Sequence, residues 1–264
     1  MASGFDGLPV RQRLLAIGAH PDDLVLGASA LLGRAQDAYC LVLTTGARRG
    51  DPPALAATRR TEDLAAMAEL GLPPEHSHCL GLYDQDSHRR LDRLIAALEG
   101  WMCRLRPAWV LVHDYEQGHP DHDAAAFAAA TAARRLGIPC YVYPLYHRQD
   151  GELRFCQFRG TVAGERAHRL SNLDLSRKFR ALSAYVSQMN VIKDFPLHCE
   201  RVRPFDAACC QWRKTGESVY QRIPSIAVEP GEVLSAICHW LASHPPGWPA
   251  PPQDTTTGKL CVNE

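Results

Sequence analysis

A chain of 264 residues, 46% of them hydrophobic, can bury a sizeable core as one large α/β domain. Its 29 basic and 29 acidic residues cancel, which excludes a nucleic-acid partner held by bulk charge and leaves only a local basic patch open. No apolar run reaches the ~20 residues that span a bilayer, and the N-terminal stretch has no hydrophobic signal core, so the expectation is a cytoplasmic protein without a membrane span.

In chain order, Leu14 to Ile17 reads as a short buried strand. Gly18 and Ala19 let the backbone turn into His20-Pro21-Asp22-Asp23, and Leu24 to Leu32 continues as a helix. Pro21 suits a first helical turn, where its missing N–H is no loss. His20 and Asp23, three apart, share a face of such a turn, while Asp22 points elsewhere. Tyr39 to Leu43 is a second strand, closed by Thr44-Thr45-Gly46 and followed by a polar, turn-rich loop carrying Arg48 and Arg49. Leu64, Met67 and Leu70 space a helix over Thr58 to Leu70, which Gly71 and Pro73 stop; Arg59 and Glu62 are placed to pair along it. His78 to Leu82 is a short strand ending at Tyr83-Asp84, and the segment from Ser87 to Arg106 is an amphipathic helix.

Trp109 to His113 is the next strand. It leads through Asp114 and Glu116 to His119-Pro120-Asp121-His122, and Ala124 to Arg135 continues as a helix. Cys140 to Tyr146 is a further strand. Strands and helices therefore alternate, which predicts a doubly wound, mostly parallel, Rossmann-like α/β sheet with an irregular C-terminal part. In that part, Asp150-Gly151 suggests a hairpin between Tyr141–His147 and Leu153–Phe158. Asn172 to Tyr185 is helical, Glu200 to Asp206 loop-like, and Glu232 to Ala242 a last helix. Residues 1–243 form the domain, and the Pro-rich stretch 244–264 is expected to be a mobile tail. The ten cysteines contain no C-x-x-C pair, so they read as reduced thiols rather than a structural zinc site, with the role of Cys209-Cys210 unassigned.

The strand–His-Pro-Asp–helix unit occurs twice. Each piece alone is ordinary, since a loop histidine is usually a surface residue and acidic residues at a helix start complement its dipole. Two such units on parallel strands ending side by side bring His20, Asp23 and His122 together at the carboxyl edge of the sheet, where open α/β sheets place ligands. Two imidazoles and one carboxylate with open positions suit a catalytic zinc ion. The same set suits Fe(II) oxygenases, but those ligands usually stand on a β-scaffold, so that reading ranks lower.

GAHPDD followed by GHPDH resembles the PIG-L/LmbE-like family of zinc-dependent N-acetylglucosaminyl deacetylases. Supporting matches are Thr44-Thr45-Gly46, Arg59, Glu62, Asp84, His113-Asp114, Lys178, Tyr185 and Ser187-Gln188, so the resemblance runs from about Leu14 to Tyr220. It implies the LmbE-like fold and removal of an N-acetyl group from an N-acetylglucosamine-containing small molecule. In that reading His20, Asp23 and His122 hold Zn2+, with Fe2+ the alternative ion. Asp22 is the general base and His119 stabilises the oxyanion as an imidazolium. Asp121 and Asp114 orient ligand imidazoles. Arg48, Arg49, Arg59 and Glu116 are the candidates for substrate contacts, with Arg59 supporting the site from behind if it faces the loop. Family members commonly carry Glu where Leu24 stands and His where Tyr185 stands, and the mycothiol-pathway members carry Tyr where Gln117-Gly118 stands; these departures bear on which sugar conjugate is bound. A sugar-binding protein with a vestigial site is the rival, against which the intact Asp22 argues; a deacylase of a larger glycosylated natural product also fits. Oligomeric state is not specified.

Overall fold

The computed structural model describes residues 4–160, 164–205, 212, 218–220, 223 and 225–244. The expectations for Asp206, Cys209, Cys210 and the stretch beyond 244 fall outside these residues.

Elements alternate from the start: β1 (Leu14–Gly18), α1 (Asp23–Leu32), β2 (Ala38–Thr44), α2 (Pro53–Glu69), β3 (Ser77–Leu82), α3 (Leu91–Leu105), β4 (Trp109–His113), α4 (Pro120–Arg135) and β5 (Cys140–Tyr143). After them come a hairpin of β6 (Tyr146–Gln149) and β7 (Glu152–Phe155), then β8 (Arg166–Arg169), α5 (Asn172–Ser183), α6 (Met189–Ile192), β9 (Cys199–Pro204) and α7 (Pro230–Ser243). Seven strands form one sheet in the order β3-β2-β1-β4-β5-β9-β8. The first five are parallel, and β9 and β8 extend them antiparallel. The order reverses between β1 and β4, so the crevice at their carboxyl ends is the natural ligand position.

Both faces of the sheet are covered at its centre, which is why β1, β2 and β4 read as apolar runs. Along β1, Leu14 and Ala16 pack with α1, α2 and α5, while Leu15 and Ile17 pack with α3, α4 and α7. The alanines of α4 from Ala124 to Ala130 are all buried, so a helix of low hydrophobicity lies close against the strands. Full burial of each leucine of β1 and α1 contributes roughly 1.5–3 kcal/mol.

Three segments depart from the sequence-based expectation. The strand expected from Cys140 to Tyr146 is two strands, because Pro144 has no N–H and the amides of Leu145 and Tyr146 donate to the Glu116 carboxylate instead of a sheet neighbour. The hairpin turn at Asp150-Gly151 stands, but it joins the shorter β6 and β7. Glu200 and Arg203 lie in a strand, β9, not in a loop.

Helix α1 is interrupted at Ala28, whose φ and ψ are −145° and 19°. A buried ion pair replaces the missing rung. Lys178 Nζ donates to the Leu26 carbonyl at 2.6 Å, and the Ala30 amide donates to both Glu200 oxygens at 3.1 and 3.0 Å. Lys178 and Glu200 themselves meet at 3.1 Å, with both side chains fully buried. The interruption lets Gly27 lie against the Tyr143 ring, where an added Cβ would stand 2.3 Å from Cδ2.

Candidate metal centre and active site

The chain leaves β1 at Gly18 and enters α1 within five residues, so His20 and Asp23 are held by the first helical turn. Asp22 occupies the N-cap position, but its side chain makes no cap hydrogen bond. The carboxylate of Asp23 folds back instead: its Oδ2 accepts from the His20 amide at 2.6 Å. His119 caps α4 in the second unit, its Nδ1 accepting from the Asp121 amide at 3.2 Å. Pro120 follows at the first helical position, and His122 points from the same turn.

Donor atoms of three side chains converge between the two turns. His20 Nδ1 and His122 Nε2 are 3.2 Å apart. Asp23 Oδ2 lies 3.3 Å from His20 Nδ1, and Asp23 Oδ1 lies 3.3 Å from His122 Nε2. Ligand atoms ~2.0–2.1 Å from a tetrahedral ion stand roughly 3.3 Å from one another, which is the spacing of the two imidazole nitrogens from each other and of each from one Asp23 oxygen. The donor set therefore fits a divalent ion. A second group, His20, Asp84, His119 and Asp121, is also compact enough to suggest metal binding. Its atoms are already engaged: both Asp121 oxygens accept backbone amides, from Gln85 at 2.6 Å and Ser87 at 3.1 Å. His20 Nε2 faces Asp84 Oδ1 at 3.2 Å and Asp121 Oδ2 at 3.3 Å. One edge of the His20 ring thus meets carboxylates and the other the triangle, the arrangement of a metal-ligating histidine oriented from behind.

Burial alone would depress the His20 pKa, but Asp23 and hydrogen bonds to Asp121 and Asp84 outweigh it and raise it well above its ordinary value. For Asp23, burial is outweighed by His122, His113 and His20, which hold the carboxyl well below the usual range. Asp22 goes the other way: burial and the charge of Asp23 raise it, against the pull of Arg59 and His20. Burial and the neighbouring His20 hold His119 well below its ordinary value. Both oppose the imidazolium expected there. Since its Nδ1 accepts from Asp121, its Nε2 carries the proton and is the donor, 3.6 Å from Asp84 Oδ1.

The other expected residues divide. Arg59 is buried, bonds the Gly46 carbonyl and points Nη2 at Asp22 Oδ1, 3.8 Å away. It does not pair with Glu62, whose carboxylate accepts from the Ser187 amide and hydroxyl at 2.8 and 2.6 Å. Asp114 does not orient an imidazole: Arg203 grips both its oxygens at 3.0 and 2.8 Å, and burial pushes its pKa to about 6 despite that cation. Glu116 is not available to substrate, being buried with Leu145, Tyr146 and His147 as partners. Arg48 is half-exposed and reaches the Ser225 carbonyl. Arg49 pairs with Asp86 and lies over the Tyr83 ring. Leu24 is core, and Tyr185 is buried with its hydroxyl donating to the Pro21 carbonyl at 2.7 Å, so both departures sit behind the site.

Two residues not named as site candidates belong to the cluster. Asp84 stands two residues past the end of β3, and its place at the carboxyl end of a parallel strand was the available signal. His113 is the last residue of β4; its Nε2 meets the Ala19 amide at 3.0 Å, Asp23 Oδ2 at 3.1 Å and Tyr143 Oη at 3.2 Å. Its ring stacks on His122 at 4.1 Å.

The sequence model of the PIG-L family, described as GlcNAc-PI de-N-acetylase, matches residues 15–133, a span that holds both His-Pro-Asp units. The uncharacterized deacetylase YaiS of Escherichia coli K12 is 34% identical over 136 residues, covering 48% of this chain and 70% of that protein. The chain belongs to the PIG-L family. Another relative in it, the 1D-myo-inositol 2-acetamido-2-deoxy-alpha-D-glucopyranoside deacetylase of a Nocardioides species, is 27% identical over 174 residues, which cover 49% of this chain and 56% of that enzyme. The A40926 pseudoaglycone deacetylase Dbv21 shares the fold, with a TM-score of 0.59, 22% identity, and coverage of 74% of this chain and 97% of that one. Among the described residues no helix is long and apolar enough to cross a membrane.

Proposed function

We propose that this PIG-L family member is a zinc-dependent hydrolase that removes the N-acetyl group from an N-acetylglucosamine-containing small molecule. The observation that carries the reading is the triangle of His20, Asp23 and His122, with the Asp22 carboxylate, free of a cap bond, beside it. The family, and the acetamido sugar named for the Nocardioides relative, support the choice of substrate.

A divalent ion held by these three side chains supplies polarisation of the acetyl carbonyl and a water of lowered pKa. Asp22 takes the proton from the attacking water and passes it to the departing amine. Its raised pKa suits both steps, because a carboxylate of ordinary pKa is a weak base and holds a proton poorly. Neutral His119 donates Nε2–H to the oxygen that gains negative charge. Asp121, fixed by two amides, keeps the His20 ring turned. His113, its Nε2 accepting from the Ala19 amide, packs beside the Asp23 carboxylate and on the His122 ring.

The test is metal analysis of the purified protein together with amine release from a panel of N-acetylglucosaminides. One bound divalent ion and turnover of at least one member are expected. Metal-loaded protein that releases no amine from any of them would favour the binding-protein alternative.

A further inference from the structure

The loop between β4 and α4 delivers His119, and it is held from a distant part of the chain. Gln117, two residues before His119, has a φ of 55°, in the left-handed region that residues other than glycine rarely adopt. Such a conformation persists only where the surroundings fix it. Here the backbone is fixed from two sides. The amides of Glu116 and Gln117 both donate to Asp123 Oδ1, at 3.1 and 3.0 Å. The Gln117 carbonyl accepts from the Val219 amide at 3.0 Å and from the Ser218 hydroxyl at 3.2 Å.

Tyr220 joins the two sides. Its hydroxyl donates to Asp123 Oδ2, the oxygen that the loop amides leave open. Its own amide donates to Ser218 Oγ at 3.1 Å. Gln117, Asp123, Tyr220 and Ser218 thus close a ring of hydrogen bonds around a left-handed residue. All four are buried, so bulk water does not stand in for a lost partner. At the next residue, Gly118, the chain runs against Tyr146, whose carbonyl oxygen an added Cβ would strike. His119 leaves this loop to cap α4, so where its ring points follows from where the loop ends.

We propose that Tyr220 is a positioning residue for the reaction: through Asp123 and Gln117 it sets where His119 presents Nε2–H to the acyl oxygen. The inference rests on the deacetylase reading above and on the role given there to His119.

The experiment measures kcat, KM and metal content for Tyr220→Phe, His119→Ala and the double variant, on the member of the N-acetylglucosaminide panel that wild type turns over fastest. Phenylalanine keeps the buried ring and removes only the hydroxyl. A misplacement of ~1 Å can cost ~10²-fold in rate, so kcat should fall roughly 10–10²-fold, with KM and metal content near wild type. In the His119→Ala background the same substitution should change kcat by less than about twofold, because no donor is left to position. An unchanged kcat, an equal loss in both backgrounds, or a loss of metal that matches the loss of kcat overturns the proposal. Ser218→Ala, which takes one donor from the Gln117 carbonyl, should show the same dependence on His119 and replaces Tyr220→Phe if that variant fails to fold. If no member of the panel releases amine, the deacetylase reading fails, and nitrogen-15 NMR of the zinc-loaded protein decides the positioning separately. The His119 ring signals, assigned by their absence in His119→Ala, should shift or broaden in Tyr220→Phe while those of His20 and His122 stay. Unchanged His119 signals overturn the proposal.

Discussion

His20-Pro21-Asp22-Asp23 and His119-Pro120-Asp121-His122 each lie between a parallel strand and the helix that follows it, yet equivalent positions do different work. The first histidine faces the metal triangle in one unit and caps its own helix in the other. The aspartate at the third position makes no cap bond in one, and in the other has both oxygens taken by the amides of Gln85 and Ser87. Only the fourth position, Asp23 or His122, faces the triangle in both. A motif thus supplies chemistry at a place, and the backbone donors around it decide which atom remains free to react.

The largest effect should come from separating the two histidines of the second unit. His122→Ala removes a donor from the triangle and should lose the metal and all turnover above background. His119→Ala should keep the metal and lose ~10²–10³-fold in kcat, as removal of an oxyanion donor does elsewhere. Metal content and kcat measured side by side check this, and equal metal loss in both variants would contradict the different roles assigned here.

The two third-position aspartates should separate next. Asp22→Asn should cost ~10²–10⁴-fold in kcat with the metal retained. Its acid limb should vanish as well: in wild type kcat/KM falls as pH drops through the Asp22 pKa, which lies above the ordinary carboxylate value, because the protonated acid accepts nothing. Asp121→Asn should instead weaken metal affinity by ~10–100-fold while an acid limb persists. A pH profile of each variant, read with a metal titration, tells them apart.

The smallest effect concerns the support beneath the first unit. Tyr185, which holds the Pro21 carbonyl, leans on Asp63, whose pKa burial pushes up to about 6 against the pull of Arg60 and Ser77. The folded chain therefore keeps a proton that the unfolded chain releases from about pH 4 upward. By the linkage sign, the contribution is present below the unfolded pKa and is lost as pH rises to about 6, on the order of 1–3 kcal/mol. Asp63→Asn should flatten the fall in Tm across that window, and an unchanged slope would locate the titration elsewhere.

The alternating strands and helices are legible in the sequence as far as Tyr143, because the central strands β1, β2 and β4 are apolar runs buried on both faces. Legibility falters at Leu145, whose amide bonds Glu116, 29 residues earlier, and no local pattern encodes that contact. Asp114 was misassigned for a similar reason: its neighbour in sequence is His113, but its partner is Arg203, 89 residues away. The triangle was readable because strand ends that pair side by side need no long-range detail. The freedom of Asp22 and the engagement of Asp121 depend on amides that only the folded chain brings near.

The pair of Lys178 and Glu200 also reaches across the molecule. It acts as a splint across the break in α1, and both residues lie beyond the stretch 15–133 that carries the family match. A fragment cut to that stretch would free the Leu26 carbonyl and the Ala30 amide to bond each other, zipping α1 into one straight rod. Tyr143 too lies beyond the stretch, so Gly27 would lose the ring it is seated against, and His113, beside Asp23, would lose the hydroxyl it meets. The recognisable half of the chain contains every donor of the triangle, but its bent shape is imposed by the other half.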